Sequence, residues 1–270
     1  MHGSLTFLGT GTSMGVPTLG CDCPVCTSQD PRDNRLRPSV LIQWMDSVAG
    51  LQRNVLIDSG PDFREQALRA KLKRIDAVFY THSHVDHILG LDDLRPLSFV
   101  TFRKFGPIPL YVTAETRKVL ERIYSYTFSA AATYSNRAKV ELRTIGTMTG
   151  EKTEVHGIHF IPVPVLHGAD QIIGYRFGSV AYLTDVSEIP ETSFPLLDNL
   201  DVLIVSALRH KPHPSHATVH QAVGWANRIG ARETWFTHIS HDLGHAETNS
   251  NLPEDIQLAH DGLSVPIRLA

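Results

Sequence analysis

Four side chains that can bind a metal ion lie within six positions, in the stretch His82-x-His84-x-Asp86-His87. Imidazole nitrogens and carboxylate oxygens are ligands that zinc and other divalent cations accept. Side chains this close repel one another when protonated, and a shared cation relieves that repulsion. The spacing therefore predicts a metal site in which these four residues are ligands.

The elements around this stretch would hold the ligands at a turn between a strand and a helix. The apolar run 75–80 (IDAVFY) predicts a buried strand, and a helix is predicted over 88–99. A turn on a rigid scaffold can aim several side chains at one point.

Further ligand candidates stand directly after other apolar runs. His167 follows FIPVPVL, Asp185 follows VAYLT and His238 follows ETWFT. A single histidine or aspartate is more often an ordinary polar group. The repeated pattern of an apolar strand followed by such a side chain favours metal binding for all three. Asp58 follows the predicted strand 54–57 and would either cap the next helix or orient a metal ligand, and we favour orientation.

The three cysteines of the chain, Cys21, Cys23 and Cys26, lie within six residues. An odd number at such short spacing does not suit a disulfide framework, but three thiolates can share one tetrahedral zinc ion. The fourth ligand must come from elsewhere, and spacing does not select it among fifteen histidines. We expect a structural zinc in a loop at about 20–27 and, from the reduced thiols, a cytoplasmic protein.

Composition limits the other classes of function. The chain has 270 residues and a net charge of −3, which argues against a nucleic-acid partner. We find no apolar run of the roughly 18 residues that a membrane span needs, and no pattern typical of a signal peptide. Both halves alternate strands with helices, which predicts one domain over 1–270. The sequence leaves a homodimer open.

Three local predictions concern the rest of the chain. A helix is predicted over 217–229, with Ser215 as its N-cap. The runs 256–260 and 263–268 are predicted to form a hairpin, because Asp-Gly between them is a strong turn dipeptide. The polar segment 128–137 is predicted to be a loop.

Taken together, these residues resemble the metallo-β-lactamase superfamily of binuclear metallohydrolases over nearly the whole chain. The shared positions, in the order of that family, are Asp58, the motif from His82 to His87, His167, Asp185 and His238. The resemblance implies an α/β fold, a four-layer αββα sandwich of two mixed sheets flanked by helices.

Within that superfamily the chain is most similar to the PhnP-type phosphodiesterases, which act on phosphoribosyl cyclic phosphate. The similarity lies in the opening FLGTGTSMGVPTLGCDCPVC and in two histidines. The resemblance implies that His241 is the fourth ligand of the zinc bound by the cysteines. It also implies that His216, just before the last long helix, acts near the substrate.

The resemblance also assigns the ligands of two catalytic metal ions, for which we expect zinc or manganese. One ion would be held by His82, His84 and His167, the other by Asp86, His87 and His238, with Asp185 bridging the two. The implied reaction is hydrolysis of a small, cyclic phosphodiester by a hydroxide that bridges the metals. Asp86 and His216 are the residues we expect to be catalytic.

Other functions are compatible with the same residues. A hydrolase of this fold could act on a thioester or a lactone, since a fold does not choose a substrate. The histidine pattern and the Gly-Thr-Gly loop are shared with tRNase Z, but the chain lacks a long basic or Gly-Pro-rich arm for gripping tRNA. A metal-binding scaffold protein and a nucleic-acid-binding module are the remaining alternatives.

Overall fold

The computed structural model describes residues 1–131, 133–146 and 151–269. Within them, fourteen strands form two sheets of seven. The first sheet contains β1 (His2–Gly9), β2 (Ser39–Asp46), β3 (Leu51–Ile57), β4 (Ala77–Phe79), β5 (Ile108–Val112), β6 (Val140–Thr144) and β14 (Ser264–Arg268). The second contains β7 (Thr153–Val155), β8 (Ile158–His167), β9 (Asp170–Phe177), β10 (Val180–Leu183), β11 (Val202–Ser206), β12 (Glu233–Thr237) and β13 (Ile256–Leu258).

Seven α-helices within the described residues connect these strands. They are α1 (Phe63–Arg69), α2 (Val85–Ile88), α3 (Arg95–Phe105), α4 (Ala114–Ile123), α5 (Ser125–Phe128), α6 (Val219–Ile229) and α7 (His245–Asn251). Within the described ranges, none of the helices combines the length and the apolar character that crossing a bilayer requires.

Each sheet is antiparallel in one half and parallel in the other. The first runs β14-β1-β2-β3-β4-β5-β6 and is parallel from β3 to β6. The second runs β13-β12-β11-β10-β9-β8-β7 and is parallel from β13 to β10. Parallel neighbours end at the same edge of a sheet, so loops that follow them converge there.

Three apolar layers hold the sheets and helices together. Between the sheets, the ring of Phe79 stacks on Tyr111 at 4.6 Å and on Phe160 at 4.3 Å between centroids. On the outer face of the first sheet, Phe63 of α1 and Leu120 of α4 are fully buried. On the outer face of the second sheet, α6 and the loops beside it cover the strands. This confirms the four-layer αββα sandwich predicted from the sequence.

The bounds of the helix predicted over 88–99 are wrong. Helix α2 ends at Ile88, a short 3-10 helix covers Leu91–Leu94, and α3 begins at Arg95 and extends to Phe105. Gly90 lies between α2 and the 3-10 helix, where a Cβ would lie 2.1 Å from the carbonyl oxygen of Gly60, so only glycine allows this close approach.

The hairpin predicted at 256–268 is also wrong. Strand β13 pairs with β12 in the second sheet, and β14 pairs with β1 in the first, so the chain crosses between sheets at Asp261-Gly262. The carboxylate of Asp261 does not serve a local turn. It accepts hydrogen bonds from the backbone N–H groups of Thr10 at 2.9 Å and Leu36 at 3.0 Å.

The N-cap of α6 is Thr218, not Ser215, because Thr218 forms a reciprocal capping box with Gln221. In the segment 128–137, Phe128 ends α5 and the described residues after it contain no helix or strand, whereas residue 132 lies outside the described residues.

Candidate active site

The predicted ligands lie at one edge of the sandwich, contributed by both sheets. His82 and His84 follow β4, and Asp86 and His87 belong to α2 directly after them. The second sheet adds three more, each at or just beyond the end of a strand. These are His167 at the end of β8, Asp185 after β10 and His238 after β12.

These seven residues form two clusters in which the candidate ligand atoms lie within 4.8 Å of one another. The first cluster contains only imidazoles, and the second contains two carboxylates and two imidazoles. The members of the first are His82, His84 and His167, and those of the second are Asp86, His87, Asp185 and His238. Asp185 also groups with His167, so it lies between the two clusters.

The distances in the second cluster fit a shared metal ion. The Nε2 atoms of His87 and His238 lie 3.1 and 3.0 Å from carboxylate oxygens of Asp185. Both nitrogens are buried, yet neither has a hydrogen bond of acceptable geometry within the described part of the chain. Ligands placed about 2.1 Å from a tetrahedral ion lie about 3.4 Å apart without pointing at one another. The atoms therefore converge on a common centre.

Hydrogen bonds behind the ligands orient the imidazoles. Asp58 Oδ2 lies 2.7 Å from His87 Nδ1, which leaves Nε2 of that ring directed at the cluster. The other oxygen of Asp58 accepts from the backbone N–H of Thr81 at 2.8 Å. His167 Nδ1 lies 2.8 Å from the carbonyl oxygen of Ser215, so this nitrogen donates and Nε2 is free to bind a metal. Such contacts fix the tautomer and the ring orientation of a metal ligand.

Electrostatics at the second cluster favour a cation. Burial opposes charge on every group there, but His87 and His238 hold the pKa of Asp86 well below its usual range. Against the same burial, Asp185 and Asp86 raise the pKa of His238 to about 9. Without a metal, protons on the imidazoles balance the carboxylates, and a divalent ion can replace those protons.

The backbone is strained at three positions of the site. Asp58, Asp185 and His238 have φ values of +62°, +59° and +55°. Residues with a side chain seldom adopt this left-handed conformation, and such strain persists only where the surrounding structure holds it. Two of these residues, Asp185 and His238, belong to the second cluster, and Asp58 contacts a third member, His87.

His216 lies beside both clusters. Its ring stacks on that of His238 at 4.7 Å, and its Nδ1 atom is 3.9 Å from Asp185 Oδ1. Burial, with a smaller effect of His238, lowers the pKa of His216 to about 3. His213 lies one ring further out, 4.9 Å from His216. The position of His216 suits contact with a substrate, although with His167 and Asp185 it also forms a third group of ligand type.

A cavity of about 600 Å³ opens beside the first cluster. His82, His84 and His167 contribute to its lining. The rest of the lining carries hydroxyl, carboxylate and amide groups beside two isoleucines, and none of the described lining residues is Lys or Arg. The further polar residues are Thr81, Ser83, Thr113, Glu115, Thr116, Asp170 and Gln171. The volume suits a small molecule.

The cysteine loop lies against the segment that follows β12. His241 Nδ1 is 3.2, 3.4 and 3.6 Å from the sulfur atoms of Cys21, Cys23 and Cys26. Ligands on a tetrahedral zinc, with Zn–S about 2.3 Å and Zn–N about 2.05 Å, would have this separation of about 3.6 Å. The Cys26 backbone N–H lowers the pKa of Cys23 to about 6, whereas burial raises that of Cys26 to about 11. The four groups fit one zinc ion.

Comparison with known proteins identifies the family. The family described as "Beta-lactamase superfamily domain" matches residues 53–239. The chain belongs to the metallo-β-lactamase superfamily. The matched region contains all seven candidate ligands of the active site, but not the three cysteines or His241.

Individual relatives of this superfamily member differ in how far they match. A crystal structure described as a new diphosphatase from the PhnP family is 53% identical, with a TM-score of 0.91, covering 100% of this chain and 98% of that one. An octanoyltransferase of Porphyromonas gingivalis is 36% identical over 262 residues, which are 96% of this chain and 51% of that protein. The chain thus spans about half the length of that curated relative.

A third match shows a similarity of fold alone. The Zn²⁺-bound PqqB of Methylobacterium extorquens is 20% identical with a TM-score of 0.76, covering 98% of this chain and 99% of that one. The family match and the 53% identical diphosphatase make the chain a PhnP-type member of the metallo-β-lactamase superfamily. The fold implies divalent metal ions.

Two contributors to the PhnP-type site were missed in the sequence. Thr81 bonds Asp58 through its backbone and its hydroxyl, and it directly precedes the motif, a position that could have suggested such a role. The carbonyl of Ser215 carries no sequence signal, because any residue supplies one.

Proposed function

We propose that this protein hydrolyses a P–O bond in a small phosphate compound whose phosphorus is bonded to two substituents through oxygen. The observation that carries the proposal is the pair of ligand clusters joined by Asp185 beside a cavity of about 600 Å³. The 53% identical relative described as a diphosphatase supports phosphorus chemistry over thioester or lactone hydrolysis.

In this proposal each cluster would hold one divalent cation. His82, His84 and His167 would bind one, Asp86, His87 and His238 would bind the other, and Asp185, which lies between the clusters, would serve both. Two such ions lower the pKa of a bound water and stabilise charge on phosphoryl oxygens. We keep zinc or manganese as the candidates for this pair, and zinc for the site formed by Cys21, Cys23, Cys26 and His241.

The side chains then have separate tasks. Asp58 orients His87, and the strained backbone at Asp185 and His238 keeps their side chains at the cluster. His216 donates a hydrogen bond to a phosphoryl oxygen or to the leaving oxygen. Water forms the new bond to phosphorus, the bond to the leaving oxygen breaks, and the proton lost by water ends on the leaving group or in solvent.

A diphosphate is our first candidate substrate, and a cyclic phosphodiester is the second. Both present a phosphorus with two bridging oxygens, so the same metal pair can serve either. The first is supported by the 53% identical relative. The second is supported by the buried His216, since an alkoxide leaves poorly without a hydrogen-bond or proton donor beside it.

The lining of the cavity limits the charge of the substrate. Because no described lining residue is Lys or Arg, positive charge for the phosphoryl group must come from the metal ions. Glu115 and Asp170 also line the cavity, where their carboxylates would repel additional anionic groups. A small molecule with few negative charges therefore fits better than a nucleic acid. A cytoplasmic location and a homodimer stay predictions.

The test is a panel of substrates assayed with metal-reconstituted protein. It comprises a dinucleoside diphosphate, a 2′,3′-cyclic nucleotide, bis(p-nitrophenyl) phosphate, a thioester, a lactone and a tRNA precursor, together with the metal content per chain. We expect turnover of the diphosphate or the cyclic nucleotide and none of the thioester or lactone. Absence of any phosphorus-directed turnover with zinc, manganese or iron would overturn the proposal.

A further inference from the structure

One short segment, residues 238–245, carries ligands of both candidate metal sites. His238 at its start belongs to the active site, and His241 three residues later belongs to the cysteine site. Backbone hydrogen bonds hold its beginning, from the N–H of Ile239 to the oxygen of Thr10 at 2.9 Å and from Ser240 to Leu208 at 3.1 Å. Around His241 the bond from the N–H of Leu243 to the oxygen of Ser240, at 3.4 Å, is local, so another contact ties this part to the rest of the fold.

A buried ion pair makes that contact. The side chain of Arg35 is fully buried, and its Nη1 donates to the carbonyl oxygen of Ser240 at 2.8 Å. Its Nη2 donates to the carbonyl oxygen of Leu243 at 2.7 Å and to Asp33 Oδ1 at 2.9 Å. The same carboxylate oxygen accepts from the backbone N–H of His245 at 2.8 Å. The pair Asp33–Arg35 thus binds the segment at three backbone positions, those of residues 240, 243 and 245.

The chemistry of arginine explains why this pair suits the task. Burying a charge costs free energy that must be offset by hydrogen bonds of good geometry. The planar guanidinium of Arg35 supplies donors in fixed directions, so it can bridge Ser240 and Leu243 on either side of His241. A lysine has one mobile ammonium and cannot span both carbonyl groups together with the carboxylate of Asp33.

We propose that Asp33 and Arg35 form a clamp that positions His238 and His241 at once. The clamp sets the metal affinity of the active site and of the cysteine site, while neither site depends on the ion in the other. This inference rests on the metal ligands assigned under the proposed function. The two sites are independent because His238 is held by β12, which directly precedes it, and by the clamp. Neither β12 nor the clamp contains a cysteine.

Arg53 offers a matched control. It is also a buried arginine in two ion pairs, with Asp46 at 2.8 Å and Asp76 at 3.0 Å. None of its recorded partners belongs to the segment 238–245. A change there perturbs a buried charge network to a similar extent without touching the clamp.

The experiment is a cobalt titration of the full-length, metal-depleted protein. Thiolate-to-cobalt charge-transfer absorption reports the cysteine site, and the ligand-field bands that remain in Cys23→Ser report the active site. We expect Arg35→Lys to weaken cobalt binding at both sites by about ten-fold or more, in the range found for residues that orient ligands. Arg53→Lys should leave both affinities at the wild-type value, and Cys23→Ser should leave the affinity of the active site unchanged.

Three results would overturn the clamp. The first is an equal loss of cobalt affinity in Arg35→Lys and Arg53→Lys. The second is a loss of cobalt affinity at only one of the two sites in Arg35→Lys. The third is a loss of active-site affinity in Cys23→Ser that is as large as in Arg35→Lys. Should Arg35→Lys not fold, Asp33→Asn keeps an acceptor oxygen and is expected to weaken both sites to a smaller degree. A wild-type protein without cobalt at the active site would instead contradict the proposed function, and with it the role of the clamp there.

Discussion

The two candidate metal sites of this chain are built in different ways. The active site collects side chains at strand ends of both sheets, and six of its seven candidate ligands are buried. The cysteine site joins three residues of one partly exposed loop to a single histidine more than 200 positions later. The active site therefore depends on many elements of the fold, whereas the cysteine site depends on one loop and one later residue.

The contacts behind the ligands show the same difference. In the active site, Asp58 and the carbonyl of Ser215 orient His87 and His167 before any ion binds. In the cysteine site, the sulfur atoms contact His241 and the backbone N–H groups of Thr18 and Cys26 in their own loop. The comparison teaches that contacts from distant elements orient the active-site ligands, whereas the cysteines depend on their own loop and on one histidine.

The largest effect is expected from Asp185→Asn. The residue lies between the two clusters, so removal of its charge should release both catalytic ions and lower turnover on the order of 10⁴-fold or more. Asparagine tolerates the positive φ at this position, which keeps the backbone intact. Metal analysis should still find the zinc of the cysteine site. Asp198→Asn, the same change at an exposed position, should behave as wild type.

His216→Ala should reduce turnover by about 10² to 10³-fold, the loss typical of removing one positioned hydrogen-bond donor. Metal content should stay near the wild-type value, as measured by atomic absorption. His213→Ala, one ring further from the clusters, should lose much less activity. Loss of metal from His216→Ala would make the residue a ligand and contradict its role beside the substrate.

In the metal-free protein, stability should depend on pH through His238. Its pKa is raised to about 9, so the charged form stabilises the fold fully below pH 6.5. That stability, about 3 kcal/mol, is lost as the pH rises through 9. Urea unfolding of chelated protein at pH 6.5 and 9.5 measures it. The same loss in His238→Asn would show that another group is responsible.

Asp58→Asn should lower the affinity for the catalytic ions by about 10 to 100-fold, because His87 loses its charged partner. Chelator competition measures the change, and the cysteine site should keep its zinc. Asp62→Asn removes a nearby aspartate that pairs with Arg37 instead, and it should leave the active site unaffected. An unchanged affinity in Asp58→Asn would mean that the fold alone orients His87.

The smallest effect on the active site is expected from Cys23→Ser. This variant should lose one zinc ion per chain and unfold at a lower temperature, because a structural zinc contributes folding free energy. The catalytic ions should remain. Asp22→Asn, between the cysteines, should keep all ions. A metal count equal to that of the wild type in Cys23→Ser would contradict the structural zinc.

Much of the active site could be predicted because its ligands repeat one local rule. Each of His167, Asp185 and His238 directly follows or ends an apolar strand, and the structure brings these ends to one edge. The two-sheet architecture was implied by the resemblance to the metallo-β-lactamase superfamily that these ligands carry. The roles assigned to these residues and the single domain over 1–270 stay predictions.

What could not be predicted depends on contacts distant in sequence. Asp-Gly at 261–262 has the form of a hairpin turn, but hydrogen bonds from Thr10 and Leu36 to Asp261 place the neighbouring strands in different sheets. The clamp residue Arg35 looks like an ordinary surface charge until residues 240 and 243 fold against it. Local propensity carries no information about such partners.

The left-handed backbone at Asp58, Asp185 and His238 has a consequence for sequence drift. Aspartate, asparagine and histidine are the residues with a side chain that adopt this conformation most readily. A glutamate could reach a metal ion equally well, but its backbone would resist the same φ. Each position therefore has to meet two requirements, a role at the metal site and a left-handed backbone conformation. Very few of the twenty amino acids satisfy both.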